Sequence, residues 1–257
     1  MCVILFSYRT DPRFEVAVAA NRDEYHERPA LPLGFWRDEP AVLAGRDLTG
    51  GGTWIGVTRS GRVAALTNYR EPHVVPRPDA PSRGQLTRTF LTGSSSALDY
   101  LDSLAREADR FSGFSLVVFD GESLAIFSNR GGPPTTLSPG VYGLSNHLLD
   151  TPWPKVRRGR DRLAMTLSGG GDPVPAMFDI LADRSFALDR ELPNTGLPLE
   201  MERALSPLFI TGERYGTRSS TVILVGRGEI EASERTFSSD ASLTGSRAYR
   251  IDRDQVA

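Results

Sequence analysis

The chain has 257 residues, 39% of them hydrophobic, which is enough apolar content for one large core. Its 30 Lys and Arg against 32 Asp and Glu leave a formal charge of −2, with no electrostatic footing for nucleic acid or an anionic membrane. One cysteine excludes an intrachain disulfide framework and a thiolate zinc cluster, and His26, His73 and His147 lie too far apart for metal-ligand spacing.

The first predicted elements are strands. Residues 2–8 are apolar and β-prone, Thr10-Asp11-Pro12-Arg13 has turn chemistry, and Phe14 to Ala20 runs back. A hairpin about that turn sets position 2 opposite roughly position 21, so Cys2 faces Asn21-Arg22-Asp23 at the end of the return strand. A Pro- and Trp-bearing loop is expected over residues 25–50, ending in Gly50-Gly51-Gly52. Thr53 to Arg59 and Arg62 to Asn68 form a second hairpin about Ser60-Gly61, with Asn68 opposite those glycines. Residues 71–83 are too Pro-rich for regular structure. Helices are predicted at Gly84 to Leu91, at Ser95 to Asp109, at Lys155 to Leu167 and at Val174 to Ala182. Further hairpins fall at residues 113–128 and 217–237, and short strands at Val141 to Asn146 and Ala248 to Ile251; residues 192–209 match neither period. Strands, then helices, then strands again, joined as hairpins, describe a single α+β domain with antiparallel sheets. No run approaches the roughly 20 apolar residues of a membrane span. The N-terminal segment lacks the basic flank of a signal peptide, so a cytoplasmic location is expected.

Cys2 stands directly behind Met1. Aminopeptidases remove methionine before so small a side chain, leaving a thiol and a free amine on one residue. The amine, with a pKa of about 7.7–8.0, can take the proton of a thiol whose free value is about 8.5. The other reading of Cys2 is a small buried hydrophobe. Asn21-Arg22-Asp23-Glu24 offers a carboxylate to orient the amine and a cation to favour thiolate, or else forms a solvated charged turn. Asn68, at the mouth of an apolar strand, can donate to an oxyanion or satisfy its own turn, and Asn146 has the same setting. Arg218 can anchor a substrate carboxylate, brace Asp23, or be an ordinary strand-end arginine. The glycines before Thr53-Trp54 do not make a Walker loop; they let backbone approach a ligand or take positive φ.

Met1-Cys2, Ala19-Ala20-Asn21-Arg22-Asp23-Glu24, Arg28-Pro29, Gly51-Gly52-Thr53-Trp54-Ile55-Gly56, Leu66-Thr67-Asn68-Tyr69, Gly143-Leu144-Ser145-Asn146 and Tyr215-Gly216-Thr217-Arg218-Ser219 follow one another across nearly the whole chain. In that order they resemble the NRDE, or transport and Golgi organisation protein 2, family. That family is similar to the N-terminal nucleophile (Ntn) hydrolases, particularly the cysteine amidases acting on penicillin V and conjugated bile salts. The resemblance implies a four-layer αββα sandwich with two mainly antiparallel sheets. It implies Cys2 as nucleophile and base, Asp23 as partner of the terminal amine, Asn68 and Asn146 around the oxyanion, and Arg218 as the late arginine. Asn21, Arg22, Gly52, Thr53, Trp54, Tyr69 and His147 are the candidate substrate contacts. The amidase pattern carries an arginine where this chain has Ala20; Arg22, next to Asp23, is expected to point away from that position's task. The function implied is hydrolysis of an amide or acyl bond in a small molecule, with no metal and no resident cofactor. Eukaryotic relatives are linked to Golgi organisation, to mitochondrial and lipid metabolism and to mobilising haem. The alternative is therefore a non-catalytic carrier of haem or an acyl ligand in the same pocket, with His147 or Cys2 available to iron.

Overall fold

A computed structural model of the chain describes residues 2–75 and 79–254. Met1, whose removal the nucleophile reading requires, lies outside them, as does part of the Pro-rich stretch 71–83.

The first hairpin sets the architecture. β1 (Cys2–Asp11) and β2 (Phe14–Tyr25) pair antiparallel in the register Cys2↔Arg22, Val3↔Asn21, Ile4↔Ala20. Successive strand side chains point to opposite faces, and here both faces are buried. Ile4, Phe6, Val18 and Ala20 enter one core, while Val3, Leu5, Ala17 and Ala19 enter another.

A second sheet holds β3 (Ala30–Phe35), β4 (Val42–Asp47), β5 (Ile55–Thr58), β6 (Val63–Asn68), β7 (Phe114–Phe119), β8 (Leu124–Ser128) and β9 (Thr135–Thr136), in that spatial order and antiparallel throughout. β10 (Gly140–Leu144), β11 (Tyr215–Val225), β12 (Glu229–Phe237) and β13 (Leu243–Asp252) complete the first sheet in the order β10-β1-β2-β11-β12-β13. Leu43, Ile55, Ala65 and Phe119 from the second sheet meet Ile4, Phe6, Val18 and Ile223 from the first. On the far side of the second sheet, α1 (Gly84–Thr92) and α2 (Ala97–Ala105) lay Leu86, Phe90, Leu101 and Leu104 on Ala64, Leu116 and Val118. On the far side of the first, α3 (Pro154–Ser168) and α4 (Val174–Leu181) lay Leu163, Met177 and Leu181 on Val3, Leu5 and Val222. Three apolar layers between four layers of backbone make the αββα sandwich that the resemblance implied. No helix among the described residues is long and apolar enough to cross a membrane.

Three expectations need correction. β2 runs on to Tyr25, so Asn21-Arg22-Asp23 lies inside a strand, and all three are buried instead of forming a solvated turn. Residues 25–50 contain β3 and β4 where a loop was expected. Pro32 hid β3: it sits on a sheet edge, where the β3–β4 register shifts between Leu31 and Gly34, a place that tolerates a residue without an N–H. Residues 192–209 hold α5 (Leu199–Ala204), too short to show a period.

The glycine run also has a structural cause. Gly51 takes φ +71°, and a Cβ on Gly52 would stand 2.2 Å from the Gly84 carbonyl oxygen at the start of α1. Gly52 thus lets backbone meet backbone; it is not among the residues lining a cavity with Cys2.

Candidate active site

Cross-strand partners in a sheet share a face, so the thiol of Cys2 and the guanidinium of Arg22 leave the sheet on the side that carries Ile4 and Ala20. A cavity of about 370 Å³ opens there. β1 and β2 contribute Cys2, Arg22 and Asp23 to its lining, the second sheet contributes Asn68 with Thr53-Trp54 before β5, and the start of α1 contributes Arg83. Cys2 is partly exposed as a residue, yet its sulfur is desolvated. Burial pushes the thiol pKa up, as does the Asp23 carboxylate; the Asp23 backbone N–H and Arg22 oppose this without overcoming it. The thiol therefore rests protonated and needs a base to become a nucleophile.

Arg22 was expected to face away from the task of the amidase arginine. The structure corrects this: positions 20 and 22 lie two apart along β2 and share a face, which puts Arg22 one pleat beyond Ala20, beside the thiol. Its Cζ lies 4.4 Å over the Trp54 ring, and Nη2 is 4.0 Å from Glu24 and 3.9 Å from Asp47. Arg28 binds the same two carboxylates, closest at 2.8 Å to Asp47. Two cations and two anions thus offset one another along one wall.

Asp23 is buried. Thr217 Oγ1 donates to its Oδ1 at 2.7 Å, and Tyr215 Oη donates to its backbone carbonyl at 2.8 Å. Burial pushes the Asp23 pKa up, while Lys155, the Thr217 hydroxyl and Arg22 hold it down. Lys155, 2% exposed on α3, donates to the Leu205 carbonyl at 3.0 Å. Burial lowers its pKa from 10.5 to about 8, with Asp23 opposing the fall. Below about pH 8 this lysine is a buried cation within electrostatic reach of the carboxylate. Because its folded pKa lies below the unfolded one, unfolding takes up a proton between about pH 8 and 10.5, and Lys155 favours the folded state increasingly as pH rises through that window. Urea unfolding of Lys155→Met should lose this pH-dependent gain relative to wild type; an unchanged profile would place the lysine in water.

Opposite, Asn68 ends β6 with its carboxamide free of hydrogen-bond partners among the described residues. Asn146 Nδ2 donates to the Asn68 backbone carbonyl at 3.0 Å, and Ser145 Oγ donates to the Cys2 carbonyl at 3.0 Å. The Ser145-Asn146 pair thereby ties the strand of the thiol to that of the asparagine. Asn146 holds Asn68 in place and itself lines a second cavity of about 770 Å³. The second cavity shares Asn68 and Arg83 with the first and is walled by Val74, Leu197, Met201, Leu205 and Ile210.

Six of the predicted residues are not in the cavity with Cys2: Gly52 and Asn146, placed above, and Asn21, Tyr69, His147 and Arg218. Asn21 points into the helical layer, where Nδ2 donates to the Leu181 and Leu208 carbonyls at 2.8 Å and Oδ1 accepts from Ser220 at 2.6 Å. His147 has both ring nitrogens engaged, with Tyr69 Oη at 2.7 Å and Thr151 Oγ1 at 2.9 Å, while Tyr69 itself lines the second cavity. Arg218 sits at a register shift in β11, where Nη1 donates to the Tyr25 and His26 carbonyls at 2.9 and 2.8 Å. No cluster of three or more potential metal ligands occurs among the described residues. Sequence reasoning missed Arg83, Ser145, Thr217 and Lys155. The last had a signal: Lys155, Gly159, Leu163 and Leu167 recur every four residues along the buried stripe of α3.

The sequence matches the model of the family Transport and Golgi organisation 2 over residues 1–239. The human Transport and Golgi organization protein 2 homolog is 33% identical over 276 aligned residues, with 98% of this chain and 99% of that protein covered. Its Bos taurus counterpart is 35% identical, with 92% and 93% covered. Among solved structures, the mutant C2A conjugated bile acid hydrolase from Clostridium perfringens aligns over 98% of this chain and 92% of that one, with a TM-score of 0.52 at 10% identity, a likeness of fold alone. On the family match and these identities, the chain belongs to the transport and Golgi organisation 2 family.

Proposed function

We propose that the chain is an N-terminal-nucleophile hydrolase that cleaves an amide or related acyl bond of a small molecule once Met1 is removed. The observation that carries this reading is the convergence of the Cys2 thiol, Asp23 and an unengaged Asn68 carboxamide on one cavity. The Cys2 amine, oriented by Asp23, takes the thiol proton. The thiolate attacks the carbonyl carbon, a C–S bond forms, and the carbonyl π pair moves to oxygen, where the Asn68 N–H donates to it. Collapse breaks the C–N bond, and the terminal ammonium returns its proton to the leaving nitrogen. Water, deprotonated by the same amine, then attacks the thioester; the C–S bond breaks, the acid leaves and the thiol is restored.

The test is acylation of processed protein by a panel of β-lactams and acyl anilides, followed by intact mass. One acyl adduct, removed by hydroxylamine, is expected, and Asn68→Ala should slow its formation about 100-fold. A panel that leaves no adduct and no product would sink the reading. A carrier of haem or an acyl ligand is the second reading, favoured by the apolar walls of the 770 Å³ cavity. It requires ligand binding that Cys2→Ser and a retained Met1 leave intact.

A further inference from the structure

Arg83 has no role in the steps above, and it stands apart from the other cations of the site. Arg22 and Arg28 share Glu24 and Asp47. Arg83 has no carboxylate within 4.0 Å among the described residues, and its one hydrogen bond runs from Nη1 to the Gly113 carbonyl at 3.0 Å. That leaves the Nε–Nη2 edge of the guanidinium, the edge that fits a carboxylate bidentately, without an acceptor among the described residues. Arg83 lies in the wall common to both cavities, together with Glu24, Asn68 and Ser112, and of these only Glu24 is an anion, beyond ion-pair distance of Arg83 and 4.0 and 3.8 Å from Arg22 and Arg28. Burial pushes its pKa down, while Cys2 first and then Glu24 and Glu71 push it back, which places the cation within electrostatic reach of the thiol. A guanidinium that is partly desolvated, unpaired and next to a nucleophile is incomplete until an anion arrives. The first turn of α1, in the same wall, carries no acidic side chain to supply one.

We infer that the substrate is a carboxylate-bearing amide, and that Arg83 selects it by binding that carboxylate at the junction of the two cavities, within reach of Cys2. The inference rests on Cys2 being the nucleophile. Arg83 is a specificity residue: it contacts the substrate away from the scissile bond and leaves the reactivity of the thiol to the terminal amine and Arg22.

Cys2 is the only cysteine of the chain, so two alkylating agents of nearly equal size test the inference without knowledge of the substrate. Iodoacetate and iodoacetamide both lose iodide to a thiolate with formation of a C–S bond; only the first carries a carboxylate. Wild-type protein, processed at Met1, should favour iodoacetate about tenfold more than free cysteine does, the order of one charge-assisted hydrogen bond. Arg83→Gln should abolish that preference and leave the iodoacetamide rate within about twofold, whereas Arg83→Lys should keep part of it. Added salt should erode the wild-type preference, a measurement that stands even where a variant does not fold. The inference is overturned if the wild type shows no preference. It is equally overturned if Arg83→Gln slows both reagents in parallel, because Arg83 then serves the thiol, or if Arg22→Gln and not Arg83→Gln removes the preference. Failure of Cys2 to react with either reagent overturns the nucleophile reading instead, and with it the basis of the inference.

Discussion

A chain that keeps its amino terminus blocked should turn over substrate at least about 1,000-fold more slowly than the processed protein, with its fold unchanged. Burial holds the Cys2 thiol protonated, so attack needs a base within hydrogen-bond reach. Among the described residues, the side chains around the sulfur do not provide a conventional one. None of the three histidines lines the cavity, Arg22, Arg28 and Arg83 are cations, and Glu24 and Asp47 are committed to Arg22 and Arg28. Asp23 accepts from Thr217 and is within electrostatic reach of Lys155, an arrangement suited to orienting an amine. On the proposed reading, the α-amine of Cys2, freed by removal of Met1, takes the proton. A bulky residue inserted after Met1, which stops the aminopeptidase, should therefore lower kcat and leave substrate affinity nearly unchanged. Full turnover by the blocked chain would assign the base elsewhere.

The second large effect concerns stability. Arg70 and Glu202, with side chains 5% and 3% exposed, form a 2.6 Å ion pair, and Glu202 also accepts from the Thr195 N–H and hydroxyl. Arg70 lies over the Trp153 ring at 4.6 Å, and its Nε and Nη2 already lack hydrogen-bond partners among the described residues. Removing the carboxylate strands a buried cation, so Glu202→Gln should cost about 3–5 kcal/mol in urea unfolding. Replacing both partners, Arg70→Met with Glu202→Leu, should recover much of that loss, because the penalty lies in the uncompensated charge. A cost for Glu202→Gln within about 0.5 kcal/mol, the range of surface changes, would mean that Arg70 reaches water. The pair has a bearing on binding too: Glu202 belongs to α5, whose Met201 wall faces the second cavity, so its loss should loosen that cavity before the one around Cys2.

The first hairpin was legible because turn chemistry at Asp11-Pro12 and two apolar runs leave few registers; the expected pairing of position 2 with 21 falls one residue short of Arg22. That single step matters, since it decides which side chains share the thiol's face. Arg22 shares it, whereas Asn21 points into the helical layer despite belonging to the same motif. Adjacency in sequence identified the segment without identifying the face. Arg218 and His147 were misplaced for a related reason: polar residues at strand ends satisfy backbone carbonyls and neighbouring hydroxyls as readily as they meet a ligand, and only tertiary contacts distinguish the two. Arg83 was hidden because its place in the cavity wall depends on α1 packing against Gly52, a contact between segments without shared periodicity.

The most direct test of the account is the intact mass of protein expressed without an N-terminal tag, before and after iodoacetamide. Loss of Met1 and a single adduct on Cys2 are predicted. A retained Met1, or a processed chain whose thiol stays unmodified, would contradict the N-terminal nucleophile.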